Sequence, residues 1–288
     1  MKARNFRYIR PTSLQHALRI LAENGGDAVP LAGGQSLLAG LNMRLSAPKL
    51  LVDIGDLTEL RGEGESDGVV RLGALTRHSE LLRSALVARR VPLLAQAAPY
   101  IGHVAIRNRG TLGGSLAHAD PAAELPACAV ALGATLVLAS LAGEREVKAE
   151  DFYHGLFETD LHPGELIVSV KFPAIAPNES AGFAELSRRH GDFALVGLAA
   201  VVDAAGGQIS KARLVYFGCT EHAKVAQSVS TALEGHSLPL SDAMRIASAL
   251  REDLAPGDTP GLRADTRLHM AEVLTRRVVN SAVHKAAA

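Results

Sequence analysis

Two cysteines, Cys128 and Cys219, are all that this 288-residue chain contains. Two thiols are too few for a disulfide framework or a cysteine-ligated metal site, and they suit a reducing cytoplasm. Excess charge is also missing: Lys plus Arg and Asp plus Glu number 30 each. A balanced chain sets up no field that would draw in nucleic acid or an anionic membrane. The basic pairs Arg188-Arg189 and Arg276-Arg277 read as solvated faces. Residues 1–10 are basic and aromatic with no apolar core, so no secretory signal is expected. Internal repeats and low-complexity blocks are absent. One uncharged run, "LPACAVALGATLVLASLAG" at residues 125–143, approaches the length of a membrane span. It is alanine-rich and broken by Pro126 and Gly133. It reads instead as a buried helix over 122–132, a stop at Gly133, a strand over 135–139 and a second strand near 145–148.

What is present is core-forming material, 48% hydrophobic, enough for one large domain or two smaller ones. Thr12 or Ser13 can cap a helix whose apolar face is Leu14, Ala17, Leu18 and Leu21, with Gly25-Gly26 as its stop. "AVPLAGG" reads as a short strand entering a glycine turn, "SLLAGLNMRL" as a helix and "KLLVDIGDL" as a strand. "GVVRLGALTRHSELL" reads as strand, turn and a helix from about Thr76. "ELIVSVKFP" is an alternating strand ending at Pro173, and the polar link "AIAPNES" marks a domain boundary near residue 175. Beyond it the pattern predicts a hairpin, 199–204 and 209–218 about the turn Ala205-Gly206-Gly207. Helices over 241–254 and 265–283 follow, with a frayed tail.

Two stretches carry chemistry. In "LAGGQSLLAG" a strand feeds Gly33-Gly34 and then a helix. Amides at Gly34, Gln35 and Ser36 would sit at a helix N-terminus, where free N–H groups and the helix dipole favour phosphate. There is neither a G-x-G-x-x-G fingerprint nor a P-loop lysine. In "GTLGGSLAHADPAAELP", residues 110–126, Gly113 and Gly114 precede Ser115. A nucleophile elbow would need glycine two residues after the serine, where Ala117 stands. His118, only three residues on, cannot approach Ser115 from a separate loop as a triad requires. His118, Asp120 and Glu124 could be metal ligands, though without a zinc-type spacing. Asp120-Pro121 reads as an N-cap and first-turn proline, with Glu124 in the first turn. Two such loops in one unit suit a pyrophosphate gripped from both sides by neutral N–H groups.

"LAGGQSLL" together with "IGHVAIRNRGTLGGSLAHADPAAELP" resembles the FAD-binding medium subunit of the molybdenum hydroxylases, the family of aerobic carbon monoxide dehydrogenase and xanthine dehydrogenase. "FRYIRPTSLQHALRILAENG", "GELIVSVKFP", "RRHGDFALVGLAAVV" and "DTRLHMAEVLTRRV" extend the likeness over nearly the whole chain. The resemblance implies an α+β chain. An FAD-binding domain of the vanillyl-alcohol-oxidase type would cover residues 1–175, in two subdomains split near 57. A smaller α/β C-terminal domain would cover 176–288. FAD would be non-covalent, held at Ala32, Gly33, Gly34, Gln35, Ser36 and Leu37 and at Thr111, Gly113, Gly114 and Ser115. Ile101 would line the cofactor wall, Glu124 would contact the ribityl or ring region, Ile167 would touch the flavin or adenine, and Phe193 would lie near the isoalloxazine. Relatives carry aspartate in place of Glu124 and a lysine near Ala184 or Glu185, which this chain lacks. No residue here need be catalytic. The resemblance further implies a large molybdopterin subunit that oxidises substrate and a small subunit with [2Fe–2S] clusters. A dimer of heterotrimers, an external electron acceptor and a cytoplasmic location, with contact to the inner membrane face through the complex, complete it. The competing reading is a stand-alone FAD-dependent oxidoreductase of the same fold.

Overall fold

The computed structural model describes residues 2–205, 207–237, 239–240 and 243–286. The expected turn residue Gly206, the helix start at 241–242 and the last two tail residues lie outside that set. Three larger sheets and one two-stranded pair organise the described residues. The first unit holds β1 (Arg7–Ile9), α1 (Leu14–Asn24), β2 (Ala28–Leu31), α2 (Leu37–Met43) and β3 (Leu50–Asp53). Its strands are parallel in the order β1-β3-β2. Ser13, of the two candidate caps, starts α1: its hydroxyl accepts from the His16 amide at 3.2 Å. Ala17, Leu18, Ile20 and Leu21 bury the helix against Leu50 and Val52. That is the period-3.6 face meeting a sheet buried by apolar strands.

The second unit opens with β4 (Glu63–Ser66) and β5 (Val69–Gly73). Short helices follow: α3 (His78–Leu81), α4 (Ala85–Arg90), α5 (Pro92–Ala97), α6 (Val104–Arg107), α7 (Leu112–His118) and α8 (Glu124–Ala131). The chain then returns through β6 (Thr135–Ser140), β7 (Gly143–Lys148), the small hairpin β8 (Tyr153–Gly155) and β9 (Glu158–Thr159), and β10 (Leu166–Pro173). Its antiparallel sheet runs β4-β5-β10-β6-β7. β10 is buried along nearly its whole length rather than on alternate residues. Cores cover both of its faces, and a register shift between Ile167 and Ser169 exchanges which residues meet which core. Leu166 and Val168 face the first core, and past the irregularity Val170 and Phe172 join Ile167 on the helical side. The uncharged run resolves as expected, into α8 and the β6–β7 hairpin. Every residue from Leu125 to Ala131 is buried, which a helix apolar on all sides requires. No helix among the described residues is long and apolar enough to cross a membrane.

The third unit is β11 (Glu179–Leu186), β12 (Val196–Ala205) and β13 (Gln208–Phe217), an antiparallel sheet. It is backed by α9 (Gln227–Leu233), α10 (Ala243–Asp253) and α11 (Ala264–Ala286). The hairpin is longer than its sequence pattern shows, and α11 continues into the expected tail. Strand alternation splits the sheet between two cores. Leu198, Ala200, Val202, Leu214 and Tyr216 face α9–α11, while Ala199, Val201, Val215 and Phe217 face α5 and α8. α8 is thereby buried between the second and third units.

The Phe217 ring lies over Gly197 so closely that any Cβ there would overlap it. Gly197→Ala is expected to lower stability by about 1–3 kcal/mol through overpacking. Urea unfolding measures this, and an unchanged midpoint would show that the ring has room to move.

Candidate cofactor site

The first glycine loop leaves β2 and runs through Ala32, Gly33, Gly34, Gln35 and Ser36 into Leu37, the first residue of α2. Gly34 has φ +72°, a conformation that side chains resist. Gly33 is required for a different reason. A Cβ on it would overlap the Arg109 carbonyl oxygen and lie 2.8 Å from the Gly110 Cα. The loop's own carbonyls are used: Gly33 O accepts from Gln35 Nε2 at 3.1 Å, and Gly34 O from the Leu38 amide at 3.2 Å. Its amides are not. Those of Gly33, Gly34, Gln35, Ser36 and Leu37 donate to no acceptor among the described residues. Unsatisfied N–H groups at a helix start favour phosphate oxygens.

The second loop, Asn108 to Thr111, crosses directly beside it. Here the structure changes the expected picture, because Gly113, Gly114 and Ser115 are not loop but the first full turn of α7. Thr111 is the N-cap, and its Oγ1 accepts from the Gly114 amide at 3.2 Å. The Leu112 amide donates to Thr76 O and the Gly113 amide to Ala74 O, each at 2.8 Å, and the Ser115 amide to Thr111 O at 3.0 Å. The N–H groups on this side are therefore engaged within the protein. What the second loop presents is the positive end of a short helix, the exposed Gly114 backbone and the half-buried Ser115, while Thr111 is itself buried beneath them. Ala32 lies across from Gly114, with its methyl 4.0 Å from where a Gly114 Cβ would stand.

Of the remaining expected residues, Glu124 and Phe193 fall where the second and third units meet, while Ile101 and Ile167 lie in the helical core of the second. Glu124 opens α8, but Asp120-Pro121 does not cap that helix. Ala123 holds the cap position, and Asp120 closes a tight turn by accepting the Ala122 amide on Oδ1 at 2.8 Å. The proline's fixed φ serves that turn instead of the helix. Burial, with the Asp120 charge adding to it, pushes the Glu124 carboxyl up to about 7. Ile101 is buried in the helical core, and Ile167 is buried on the face of β10 turned to that core. Phe193 is 73% exposed on the loop between β11 and β12. That loop packs Gly191 against His103 and the Gly102 carbonyl. His118 ends α7 with its ring 5.1 Å from Phe157. No three His, Cys, Asp or Glu side chains among the described residues are grouped as metal ligands.

Three residues that shape the site escaped the sequence reading. Arg107 Nη1 donates to the carbonyls of Pro99, Ile101 and Gly102 at 2.7–3.1 Å, fixing the Ile101 loop. Arg77 donates to Asn108 O. His78 is buried beneath the second loop: its amide donates to Gly110 O at 3.1 Å and its Nε2 to Thr111 O at 3.1 Å. A carbonyl only accepts, so Nε2 carries a proton, while the buried Nδ1 has no partner and burial keeps the ring neutral. Burial lowers His78 to about 4, helped by the charge of Arg107. Arg77 and His78 act on backbone carbonyls about thirty residues away in sequence, and Arg107 on carbonyls five to eight residues before it; no local pattern signals either.

His78 ordinarily titrates near 6.5, so the unfolded chain takes up this proton first as the pH falls. The stability from the neutral ring is complete above pH 6.5 and is lost towards pH 4, by about 3 kcal/mol in all. His78→Gln, which keeps a donor for Thr111 O, is expected to flatten this part of the stability–pH curve. Parallel curves for the two proteins from urea unfolding would contradict the burial account.

Comparison with known proteins agrees with this layout. Residues 4–175 match the profile of the FAD binding domain in molybdopterin dehydrogenase, and residues 181–282 that of the CO dehydrogenase flavoprotein C-terminal domain. The chain is 41% identical over 287 residues to the 6-hydroxypseudooxynicotine dehydrogenase complex subunit alpha of Paenarthrobacter nicotinovorans, covering 99% of this chain and 97% of that one. It is 34% identical over 277 residues to the carbon monoxide dehydrogenase medium chain of Hydrogenophaga pseudoflava, covering 96% of each. The solved carbon monoxide dehydrogenase of Hydrogenophaga pseudoflava, which lacks the Mo-pyranopterin moiety of its cofactor, superposes with a TM-score of 0.94 at 35% identity over 99% of both chains. Quinoline 2-oxidoreductase of Pseudomonas putida 86 gives 0.92 at 40% identity, again over 99% of both. With both profiles matched in order and the fold superposed along almost its full length, the chain belongs to the FAD-binding medium subunits of the molybdenum hydroxylases.

Proposed function

We propose that the two glycine loops hold the FAD pyrophosphate and that the chain acts as the flavin relay of a larger enzyme. The observation that carries this is the row of unsatisfied amides from Gly33 to Leu37, set against the capped N-terminus of α7. Ala32 to Leu37 would bind phosphate through backbone N–H groups. Thr111 and Ser115 would add hydroxyl contacts, and Gly113 and Gly114 would let the helix end come close. Ile101 and Ile167 would pack the cofactor wall, Glu124 would meet the ribityl or ring region, and Phe193 would flank the ring from the C-terminal side. FAD, when bound, supplies the uptake and release of electrons; the protein's part is to bind it, orient it and limit water around it.

In this proposal a large molybdopterin subunit oxidises the substrate and a small [2Fe–2S] subunit passes electrons to this chain, which delivers them to an external acceptor. The assembly is a dimer of heterotrimers working in the cytoplasm or at the inner membrane face. Residues 1–175 form the FAD-binding domain, its subdomains parting near residue 57, and 176–288 form the C-terminal domain. The relatives' names support the subunit reading over a stand-alone oxidoreductase, since they include a complex subunit and medium chains.

Gly33→Ala tests the site. Its new methyl must push the loops apart, and FAD affinity is expected to fall about tenfold or more, about 1.4 kcal/mol at least. Flavin absorbance per purified chain reads this out, with thermal unfolding as the control for folding. Wild-type flavin content in that variant would displace the pyrophosphate from these loops. The subunit reading is tested by isolating the protein from its own cells. It should travel with a larger and a smaller chain, and a lone 30.2 kDa species would contradict it.

A further inference from the structure

Three arginines surround the second loop, and two of them are spent on the protein itself. Arg107 Nη1 donates to the carbonyls of Pro99, Ile101 and Gly102, and Arg77 donates to Asn108 O. Arg109 is the third. Its side chain is exposed and has no hydrogen-bond or ion-pair partner among the described residues. Yet its backbone is the part of the second loop that touches the first. The Arg109 carbonyl carbon lies 2.9 Å from where a Cβ on Gly33 would stand. The Arg109 Cα is one bond further, no more than about 4.4 Å from that point. The side chain therefore starts beside the free amides of Gly33 to Leu37. With three methylenes and a planar guanidinium beyond Cα, it is long enough to reach over them.

The charges at this crossing are unbalanced. A dinucleotide pyrophosphate is doubly negative at neutral pH, and backbone amides offer it only partial positive charge. The chain is neutral as a whole, so no general field makes up the difference. Carboxylates on the flanking elements are engaged elsewhere. Glu80 accepts the Arg77 amide at 2.6 Å, and Asp53, at the end of β3, accepts from Tyr8, Arg10 and the Gly55 amide. Exposure alone would fit a solvated arginine. What sets Arg109 apart is its root: a guanidinium without a counter-ion starts beside N–H groups without acceptors. The ligand that suits both is an anion with several oxygens, which amides and a guanidinium can share.

We propose that Arg109 is a further cofactor-binding residue, whose guanidinium folds over the first loop and pairs with a non-bridging oxygen of the FAD pyrophosphate. The amides fix where the phosphates sit, and Arg109 supplies the charge that the amides lack. Affinity for FAD then depends on salt, which hydrogen bonding to neutral amides alone would not impose. The assignment rests on the proposed placement of the pyrophosphate between the two glycine loops.

The test is titration of the full-length apo chain with FAD, followed by quenching of flavin fluorescence. It is run at about 0.01 M and about 1 M salt, where charges are screened beyond about 30 Å and about 3 Å. Arg109→Gln removes the charge from an exposed side chain and should leave thermal unfolding of the apo chain unchanged. Its affinity for FAD is expected to fall about tenfold at low salt, and the deficit to shrink to about twofold or less at high salt. Arg109→Lys keeps the charge without the planar fork, and should bind within about threefold of wild type at low salt. Unchanged affinity of Arg109→Gln at low salt would put the guanidinium outside the site and overturn the assignment. An equal deficit at both salts, or a lysine variant as weak as the glutamine one, would make Arg109 a structural support of the loops and overturn it too. Absence of FAD binding by the wild type at both salts would overturn the pyrophosphate site itself, an outcome distinct from binding that ignores Arg109.

Discussion

The site depends on one close approach. The first glycine loop passes the Arg109–Gly110 backbone with no space for a Cβ on Gly33. That crossing sets the unsatisfied amides of the first loop beside the N-terminal turn of α7, though the two segments are about eighty residues apart in sequence. It is sustained from below by groups that grip the second loop's carbonyls: the His78 amide and ring, and Arg77. The neutral buried imidazole suits this position, because a second cation beside Arg107 in a desolvated site would be costly. The division of labour between the loops follows from hydrogen-bond accounting. One loop has N–H groups to spare, and the other has spent its own on folding.

The third unit packs on α8 and α5 of the second. Its sheet lays one face on α8, and its strands hold both ends of that helix. At the start, Gly218 accepts no freedom from the turn: its amide fixes Pro121 O. At the end, Arg213 of β13 donates to Val130 O at 2.8 Å and pairs with Glu150 at 3.0 Å. A cation on the last carbonyls of a helix is favourable for both hydrogen bonding and dipole. Glu124 is thus held at the start of a helix anchored at both ends.

Much of this was legible from the residues. Helix α1, the buried α8, the β6–β7 hairpin and the β12–β13 hairpin follow from apolar period, glycine stops and turn residues. Both glycine motifs were legible too, and their pairing was the strongest signal in the chain. The rest was hidden for physical reasons. β4 is exposed at every residue and exists by pairing with β5, so no hydrophobic pattern marks it. β10 is buried because cores cover both of its faces, and the irregularity that exchanges those faces is not encoded in the local pattern. Asp120-Pro121 carries the grammar of a helix start, but the chain uses it for a turn and begins the helix at Glu124. The supports of the second loop are contacts to backbone carbonyls from distant segments.

The central claim is that the free amides of one loop and the helix end of the other grip a single pyrophosphate. The most direct measurement is an experimental structure of this chain with FAD bound. The account predicts phosphate oxygens within hydrogen-bonding distance of the amides between Gly33 and Leu37, with the second phosphate against Thr111 and Ser115. Phosphates seated elsewhere, with the amides of the first loop still unpartnered, would contradict it.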